Sequence, residues 1–99
     1  MLIEFSFTGS PHYVGGRQLG PPHPRHWLLT DEAVQVRGDS YEQTWSWAVV
    51  VAVEQRREVF LLWQRAGATI DIPRAALTVE QDAELRAFFQ QRQFRSRWR

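Results

Sequence analysis

Residues 60–74, FLLWQRAGATIDIPR, decide the fold that this sequence predicts. An apolar run comes first, Gly67 follows it, and apolar residues then alternate with polar ones as far as Pro73. This pattern is typical of two strands joined by a tight turn, and proline ends the pairing because it has no amide hydrogen to donate. We therefore expect a β-hairpin that stops at Pro73 and continues into a helix within a few residues.

The segment after this hairpin has the periodicity of one amphipathic helix. Thr78 and Gln81 are typical of a capping box, and the acids that follow Thr78 suit the positive end of a helix dipole. The apolar residues recur at positions i, i+3 and i+4 and are Leu85, Phe88 and Phe89, with Val79 and Ala83 as candidates to extend the stripe. Such a stripe must be buried on another element, so we expect the helix to lie across a sheet.

Short strands fill most of the chain before the helix, at spacings of about eight to twelve residues. The valine-rich run 48–53 fits either a strand buried on both faces or a short helical turn leading into a strand, and its valine content favours the strand. The predicted strands cover residues 3–8, 27–30, 33–37, 41–46, 48–53, 59–64 and 69–72. This arrangement indicates an α+β protein with an antiparallel sheet or barrel and one C-terminal helix.

The connections between these strands have the composition of turns. Residues 31–32 and 38–39 are predicted to be tight turns, and residues 54–58, EQRRE, a charged hairpin loop. Residues 13–19 are glycine-rich, so we expect one helical turn or a loop there. Three prolines within residues 20–24 indicate a linker or a surface crossover.

Composition removes several classes of function. The chain has 99 residues, enough for a single domain, and no cysteine, which excludes disulfides, a thiolate zinc site and a thiol nucleophile. Its apolar runs are far shorter than the roughly 20 residues of a membrane-spanning helix. We therefore expect one soluble domain, and the absence of cysteine leaves its redox compartment undetermined.

The order of the motifs resembles a known family. Trp47 opens an apolar strand, residues 60–62 form the next one, and residues 70–77, IDIPRAAL, join a strand to an acidic helix that ends in Phe88 and Phe89. This order resembles the YcxB-like protein domain family over residues 26–92, and the Pro73-Arg74 joint is its most specific part. The resemblance implies a pleckstrin-homology-like (PH-like) barrel or sandwich of about six to seven strands capped by a C-terminal helix. It implies neither chemistry nor a cofactor.

Many members of this family carry two membrane helices before the part that corresponds to His26. This chain has only the proline-rich residues 20–25 there, so it is either a natural soluble variant or a chain from which the membrane hairpin has been removed. The resemblance divides the domain into an N-terminal strand segment (1–19), this linker (20–25), the YcxB-like core (26–92) and a basic tail (93–99). It also implies the cytoplasmic part of a membrane-associated protein.

Candidate catalytic and metal-binding residues are sparse. His12, His23 and His26 are the only imidazole ligands, and Pro24 prevents a helix that would bring the last two together, so we expect solvated loop histidines and no metal. No arrangement of serine, histidine and acid is evident along the chain, and most carboxylates fall at turns or on the polar side of strands. Asp71 could pair with Arg74 or with an arginine of a neighbouring strand. We expect no catalysis.

Two aromatic groups are candidates for binding. Trp45 and Trp47 would share a strand face, and together with Trp27, Tyr41 and Trp63 they could form a core or an exposed platform; the core is favoured because a small barrel needs bulky filling. The tail interleaves arginine with aromatic rings and supplies the candidate contacts Arg92, Phe94, Arg95, Arg97, Trp98 and Arg99.

The tail is also the basic part of the chain. Residues 92–99 hold four arginines and no acid, whereas residues 1–91 hold eight arginines and eleven acids, a balance of −3. Such a tail suits an anionic membrane surface, or single-stranded nucleic acid as the alternative, unless it is a frayed helix end. The predicted function is a noncatalytic interaction module for a peptide, a protein or lipid head groups. Self-association through an edge strand is also open.

Overall fold

Two antiparallel sheets and one C-terminal helix form the protein. The computed structural model describes residues 1–8, 12–14, 17–20 and 24–96. The strands are β1 (Leu2–Thr8), β2 (His12–Val14), β3 (Arg17–Gly20), β4 (Pro24–Thr30), β5 (Ala33–Arg37), β6 (Glu42–Ser46), β7 (Val50–Gln55), β8 (Val59–Gln64), β9 (Thr69–Pro73) and β10 (Arg95–Ser96). The helix α1 is Val79–Gln91, and single 3-10 turns cover Trp47–Val49 and Arg74–Ala76.

Apart from β10, the strands of both four-stranded sheets are arranged in chain order. The first sheet has the order β1-β4-β5-β6, with every neighbouring pair antiparallel. The second has the order β10-β7-β8-β9, in which only the short β10 is parallel to its neighbour. Among the described residues no strand of one sheet pairs with a strand of the other, so the predicted barrel is not closed. The two sheets instead face each other as an open sandwich.

The hairpin of residues 60–74 forms as predicted. Phe60 lies opposite Ile72, and both side chains are fully buried. Gly67 makes the turn with a φ of 91°, a conformation that favours glycine, and its amide donates to the carbonyl of Gln64 at 2.9 Å. Pairing ends at Pro73, where the chain turns towards α1.

The core lies between the two sheets and is closed on one side by α1. Trp47 is its centre: its ring centroid lies 4.9 Å from that of Phe88, 5.9 Å from that of Phe89 and 5.8 Å from that of Phe94. The indole nitrogen of Trp47 donates to the carbonyl of Thr30 at 2.7 Å, so its polar atom is satisfied inside the core. The predicted burial of the aromatic edge of the helix is confirmed.

Two details of the predicted helix differ. Val79 is 81% exposed and Ala83 is exposed, so neither extends the apolar stripe. A helix turns about 100° per residue, which places Ala83 roughly 160° and Val79 roughly 120° around the axis from Leu85, away from the core. The buried stripe is therefore limited to Leu85, Phe88 and Phe89.

Three local predictions are wrong. Residues 47–49 form a 3-10 turn ahead of β7, the alternative that valine content disfavoured; the Ser46 hydroxyl accepts from the Ala48 amide and favours the turn. Glu54 belongs to β7 and is 3% exposed, not part of the charged loop. Residues 13–19 contain β2 and β3, a short antiparallel pair, where a helical turn or loop was predicted. That prediction rested on glycine content, which does not distinguish a pair of short strands from a loop.

The start of α1 has the predicted capping box. The Thr78 hydroxyl accepts from the Gln81 amide and the Gln81 side chain accepts from the Thr78 amide, both at 3.0 Å. We expect Thr78→Ala to lower the free energy of unfolding by about 1 kcal/mol, because the Gln81 amide loses the hydroxyl that accepts its hydrogen bond. Urea unfolding measures this loss, with Thr78→Ser as the control that keeps the hydroxyl. Equal stability of all three proteins would contradict the assigned cap.

No helix within the described part of the chain is long and apolar enough to cross a membrane. Residues 21–23, half of the proline-rich linker 20–25, lie outside the described residues. The two alternatives for this linker, a natural variant and a removed membrane hairpin, therefore both stay predictions.

Candidate functional site

A cleft of about 1560 Å³ opens between the two sheets, at the end of the sandwich where α1 begins. The first sheet contributes mostly aromatic and aliphatic side chains, namely Phe7, Trp27, Val36, Tyr41 and Trp45. The facing wall is aliphatic and comes from Val59, Ile70, Pro73 and Leu77. Concave, mostly apolar surfaces with a few polar groups are the common form of ligand sites in proteins, so this cleft is the leading candidate site.

The cleft exists because both sheets end there in free edge strands. β6 is the last strand of the first sheet and β9 the last of the second, and no described strand pairs with the outer edge of either. The cleft is lined by Gln43 and Trp45 of β6 and by Tyr41, which directly precedes the strand, while the alternate residues Glu42 and Thr44 point to the outer face and are exposed. An edge of this kind presents amide and carbonyl groups that can accept another strand.

The ring of Tyr41 packs against Gly38, in space that a side chain at residue 38 would occupy. A Cβ atom at Gly38 would lie 2.4 Å from Cε1 and 2.8 Å from Cζ of Tyr41, so the ring lies directly against the glycine. The amide of Gly38 also donates to the carbonyl of Tyr41 at 2.9 Å, which closes the turn before β6. Tyr41 stays 42% exposed, so its ring is both positioned and accessible.

The predicted aromatic group therefore has two fates. Trp27 and Trp47 are 5% and 3% exposed and belong to the core, as favoured. Tyr41 and Trp45 are partly exposed and line the cleft, which corresponds to the alternative of a recognition surface. Trp45 and Trp47 do not share one strand, because β6 ends at Ser46. Register and edge position separate the two sets, and neither can be obtained from composition.

The charges around the cleft are of mixed sign. Its lining includes the cations Arg25, Arg57 and Arg74 and the acids Asp39, Glu58, Asp71 and Asp82, a net charge of −1 from three cations and four acids. Sites for phosphate groups concentrate cations or amide donors. The charges of this cleft therefore do not favour a phosphorylated ligand.

One ion pair connects the cleft to the fold. Arg74 donates to both carboxylate oxygens of Asp82, Nε to Oδ2 at 2.8 Å and Nη2 to Oδ1 at 3.0 Å. Its Nη1 donates to the carbonyl of Arg56 at 2.7 Å, and its guanidinium carbon lies 4.5 Å from the ring centroid of Phe60. Arg74 thus fastens the β7–β8 turn, the end of β9 and the start of α1 to one another.

Arg74 also sets the ionisation of Asp82. Its hydrogen bond holds the pKa of Asp82 below the ordinary value of 3.8; burial of the carboxyl opposes this, and a second hydrogen bond from Arg86, at 2.9 Å, supports it. Arg74 was predicted as a partner of Asp71, and that pairing does not form. Asp71 is exposed between the buried Ile70 and Ile72, so its side chain points away from them as expected.

A second polar cluster lies on the outer face of the first sheet and was missed from the sequence. The Ser6 hydroxyl is 3.0 Å from Nδ1 of His26, and Nε2 of His26 is 3.2 Å from Oε1 of Glu4. Ser6 lies directly opposite His26 in the β1–β4 register, so only the register could have revealed this serine–histidine–acid set.

This cluster lacks other parts of a hydrolytic site. Glu4 is exposed on the outer face of the sheet, and β4, which carries His26, is paired with a strand on each side, so its amides do not point at an oxyanion. What the contacts give is a hydrogen-bonded surface network. His26, predicted as a loop histidine, is in fact half-buried in β4. No group of three His, Cys, Asp or Glu side chains that could hold a metal is found among the described residues.

The tail candidates are only partly described. Phe94 is half-buried and packs on Trp47 and Phe89, while Arg92 lies with its guanidinium 5.0 Å from the Phe88 ring centroid and donates to the carbonyl of Asp31. Arg95 belongs to β10, next to Ala52 of β7. The remaining candidates, Arg97, Trp98 and Arg99, lie outside the described residues. Phe94 is therefore part of the core packing, and Arg92 already contacts Phe88 and Asp31.

Comparisons with known proteins leave this geometry as the guide to function. No family model matches the chain, and no curated protein and no solved structure matches it.

Proposed function

We propose that the protein is a noncatalytic interaction domain that binds an extended peptide segment of a partner protein along β6. The observation that carries this proposal is the free edge of β6 beside an apolar cleft, with Tyr41 and Trp45 partly exposed on the cleft side. A peptide strand added there would form main-chain hydrogen bonds to β6 and place alternate side chains in the cleft. We also propose that the domain is PH-like and YcxB-like, and that it works on the cytoplasmic side of a membrane.

The PH-like assignment is supported by the order of the elements. Seven antiparallel strands, four in the first sheet and three in the second, are followed by one helix that covers the core. The YcxB-like assignment is supported by the Pro73-Arg74 joint, where Arg74 holds the strand end and the helix start together. The β2–β3 pair between β1 and β4 departs from the simplest form of this arrangement.

Lipid head groups and nucleic acid are less suited to this site. Nucleic acid and the head groups of anionic lipids are negatively charged, whereas the cleft lining has more acids than arginines. The tail could meet such ligands, but Arg92 and Phe94 already contact the fold. Four arginines against a body of net charge −3 would in any case give weak, salt-sensitive binding.

A random peptide-display selection against the full chain tests the proposal. We expect enriched peptides with apolar residues at alternate positions, and we expect Tyr41→Ala to weaken their binding about tenfold because the ring covers the inserted side chain. Leu2→Ala is the matched control, since Leu2 is 68% exposed and apolar but does not line the cleft.

Two further arms separate the other partners. Vesicles with anionic lipids and single-stranded DNA are titrated with the chain at low and moderate salt. Binding to either one that disappears when residues 94–99 are deleted, with no peptide enriched, would contradict the peptide proposal in favour of a membrane or a nucleic acid. Circular dichroism of the truncated chain is needed alongside, because Phe94 packs on the core.

A further inference from the structure

The outer face of the first sheet carries a ladder of alternating polar and charged residues that ends at the free edge. Ser6 lies opposite His26, His26 opposite Arg37, and Arg37 opposite Glu42. Glu42 is the last rung, on β6, and it is exposed, with Oε1 accepting a hydrogen bond from Gln35 at 2.6 Å. A strand added to β6 would place its own residue directly beside Glu42.

Cross-strand neighbours of opposite charge stabilise a sheet, and like charges directly opposite destabilise it. The rung beside Glu42 therefore favours lysine or arginine in the added strand and disfavours an acid. The cleft lining has the same sign, with a net charge of −1 from three arginines and four acids.

In the added strand, the side chains before and after this cation point to the opposite face of the sheet, towards the cleft. Side chains alternate along a strand, so both neighbours of the residue beside Glu42 face the cleft, one next to Gln43 of β6 and the other next to Tyr41, which directly precedes β6. Trp45, Trp27 and Ile70 make the surroundings apolar at that depth. A large apolar side chain at both positions would fill space that a polar one would occupy without a partner.

We infer that the segment bound on β6 has the pattern apolar–cationic–apolar, with lysine or arginine beside Glu42 and both apolar side chains in the cleft. This inference rests on the proposed peptide-binding function and names the class of partner: an extended basic segment of a protein. A second copy of the chain is a weaker candidate, since pairing through five residues of β6 buries much less than the roughly 1200 Å² of a stable interface.

Three fluorescently labelled nine-residue peptides test it, all of serine and threonine around a centre of phenylalanine–X–phenylalanine, with X as lysine, glutamate or glutamine. We expect the lysine peptide to bind the full chain about tenfold more tightly than the glutamate peptide, with glutamine between them. A lysine peptide with methylated backbone nitrogens is expected to lose binding, because it cannot pair with β6.

Charge reversal on the protein gives the matched comparison. Glu42→Arg should invert the order of the lysine and glutamate peptides. Glu84→Arg makes the same change on the exposed side of α1, outside the cleft lining, and should leave the order as in the wild type. Equal binding of the lysine and glutamate peptides to the wild type would contradict the preference for a cation beside Glu42. It would not contradict the addition of a peptide strand to β6.

Other outcomes bear on the proposed function itself. If none of the peptides binds, or if backbone methylation makes no difference, strand addition to β6 is wrong and the inference falls with it. Sedimentation of the chain alone completes the test: dimers that Glu42→Arg abolishes, with no peptide bound, would make the second copy the occupant and overturn the hetero-peptide.

Discussion

Replacing Ile72 by aspartate is expected to abolish the folded state. Ile72 is 0% exposed and lies opposite Phe60, which is also fully buried, so the new carboxylate would enter the centre of the apolar core. The change removes about 2 to 3 kcal/mol of apolar burial and adds the cost of an unpartnered charge or a neutralised acid. The free energy of unfolding of a whole domain is about 5 to 15 kcal/mol. We expect no cooperative thermal transition and no near-ultraviolet circular dichroism.

The neighbouring positions of β9 supply the controls. Thr69→Asp introduces the same carboxylate at an exposed position of the same strand and should cost less than about 1 kcal/mol. Ile72→Val keeps an apolar side chain and should cost about 1 kcal/mol through the lost methylene. A soluble Ile72→Asp protein with a normal cooperative transition would show that β9 does not bury this residue.

The sequence predicted the elements better than their arrangement. The strand β5 follows from alternation, β8 from an apolar run, the turn at Gly67 from glycine, and the helix start from the side-chain oxygen of Thr78. These are local properties of a few residues. Glu54 shows the limit. A glutamate beside Arg56 and Arg57 looks like part of a loop, whereas Glu54 is paired in β7 opposite Leu61 and is 3% exposed.

The candidate site was predictable only in its residue types. Aromatic residues at 41 and 45 were noticed, but their exposure depends on β6 being an edge strand, which is a property of the whole sheet order. Ser6, Glu4 and His26 were missed because they are brought together by the β1–β4 register, across a connection of 15 residues whose length does not fix the pairing. Turn residues show where a strand stops, whereas register is set by the core that the strands share.

The Pro73-Arg74 joint combines a local sequence signal with contacts that only the folded chain makes. Pro73 ends the pairing of β9 by its covalent structure, which any reader of the sequence can infer. What the sequence does not show is that the next residue then reaches three separate elements, Arg56 at the β7–β8 turn, Phe60 in β8 and Asp82 in α1. The hairpin of residues 60–74 thereby fixes the position of the helix as well as its start. The facing wall of the cleft depends on the same contacts, since Arg74 and Asp82 both line it.

Arg74→Ala is accordingly expected to lower the free energy of unfolding by about 2 to 4 kcal/mol at neutral pH. The change removes a bidentate ion pair in which the side chains are only 19% and 16% exposed, a hydrogen bond to a main-chain carbonyl and a cation–π contact. Arg86→Ala is the matched control, because Arg86 bonds the same carboxylate but is 46% exposed and four residues away on α1. It should cost about 0.3 to 0.5 kcal/mol. Equal losses for the two variants would contradict the special position of Arg74.

The pH dependence of this loss separates the ion pair from the other contacts of Arg74. Because the fold lowers the pKa of Asp82, the pair stabilises the protein fully above the ordinary value of 3.8, and that part disappears as the pH falls through the lower folded pKa. The stability difference between the wild type and Arg74→Ala should therefore be constant from about pH 7 to pH 5 and shrink below about pH 4. A remainder should persist in acid, since the bond to the Arg56 carbonyl and the Phe60 contact do not titrate. Urea unfolding at each pH measures it, and a difference that stays unchanged down to about pH 2 would assign the whole effect of Arg74 to those two contacts instead of Asp82.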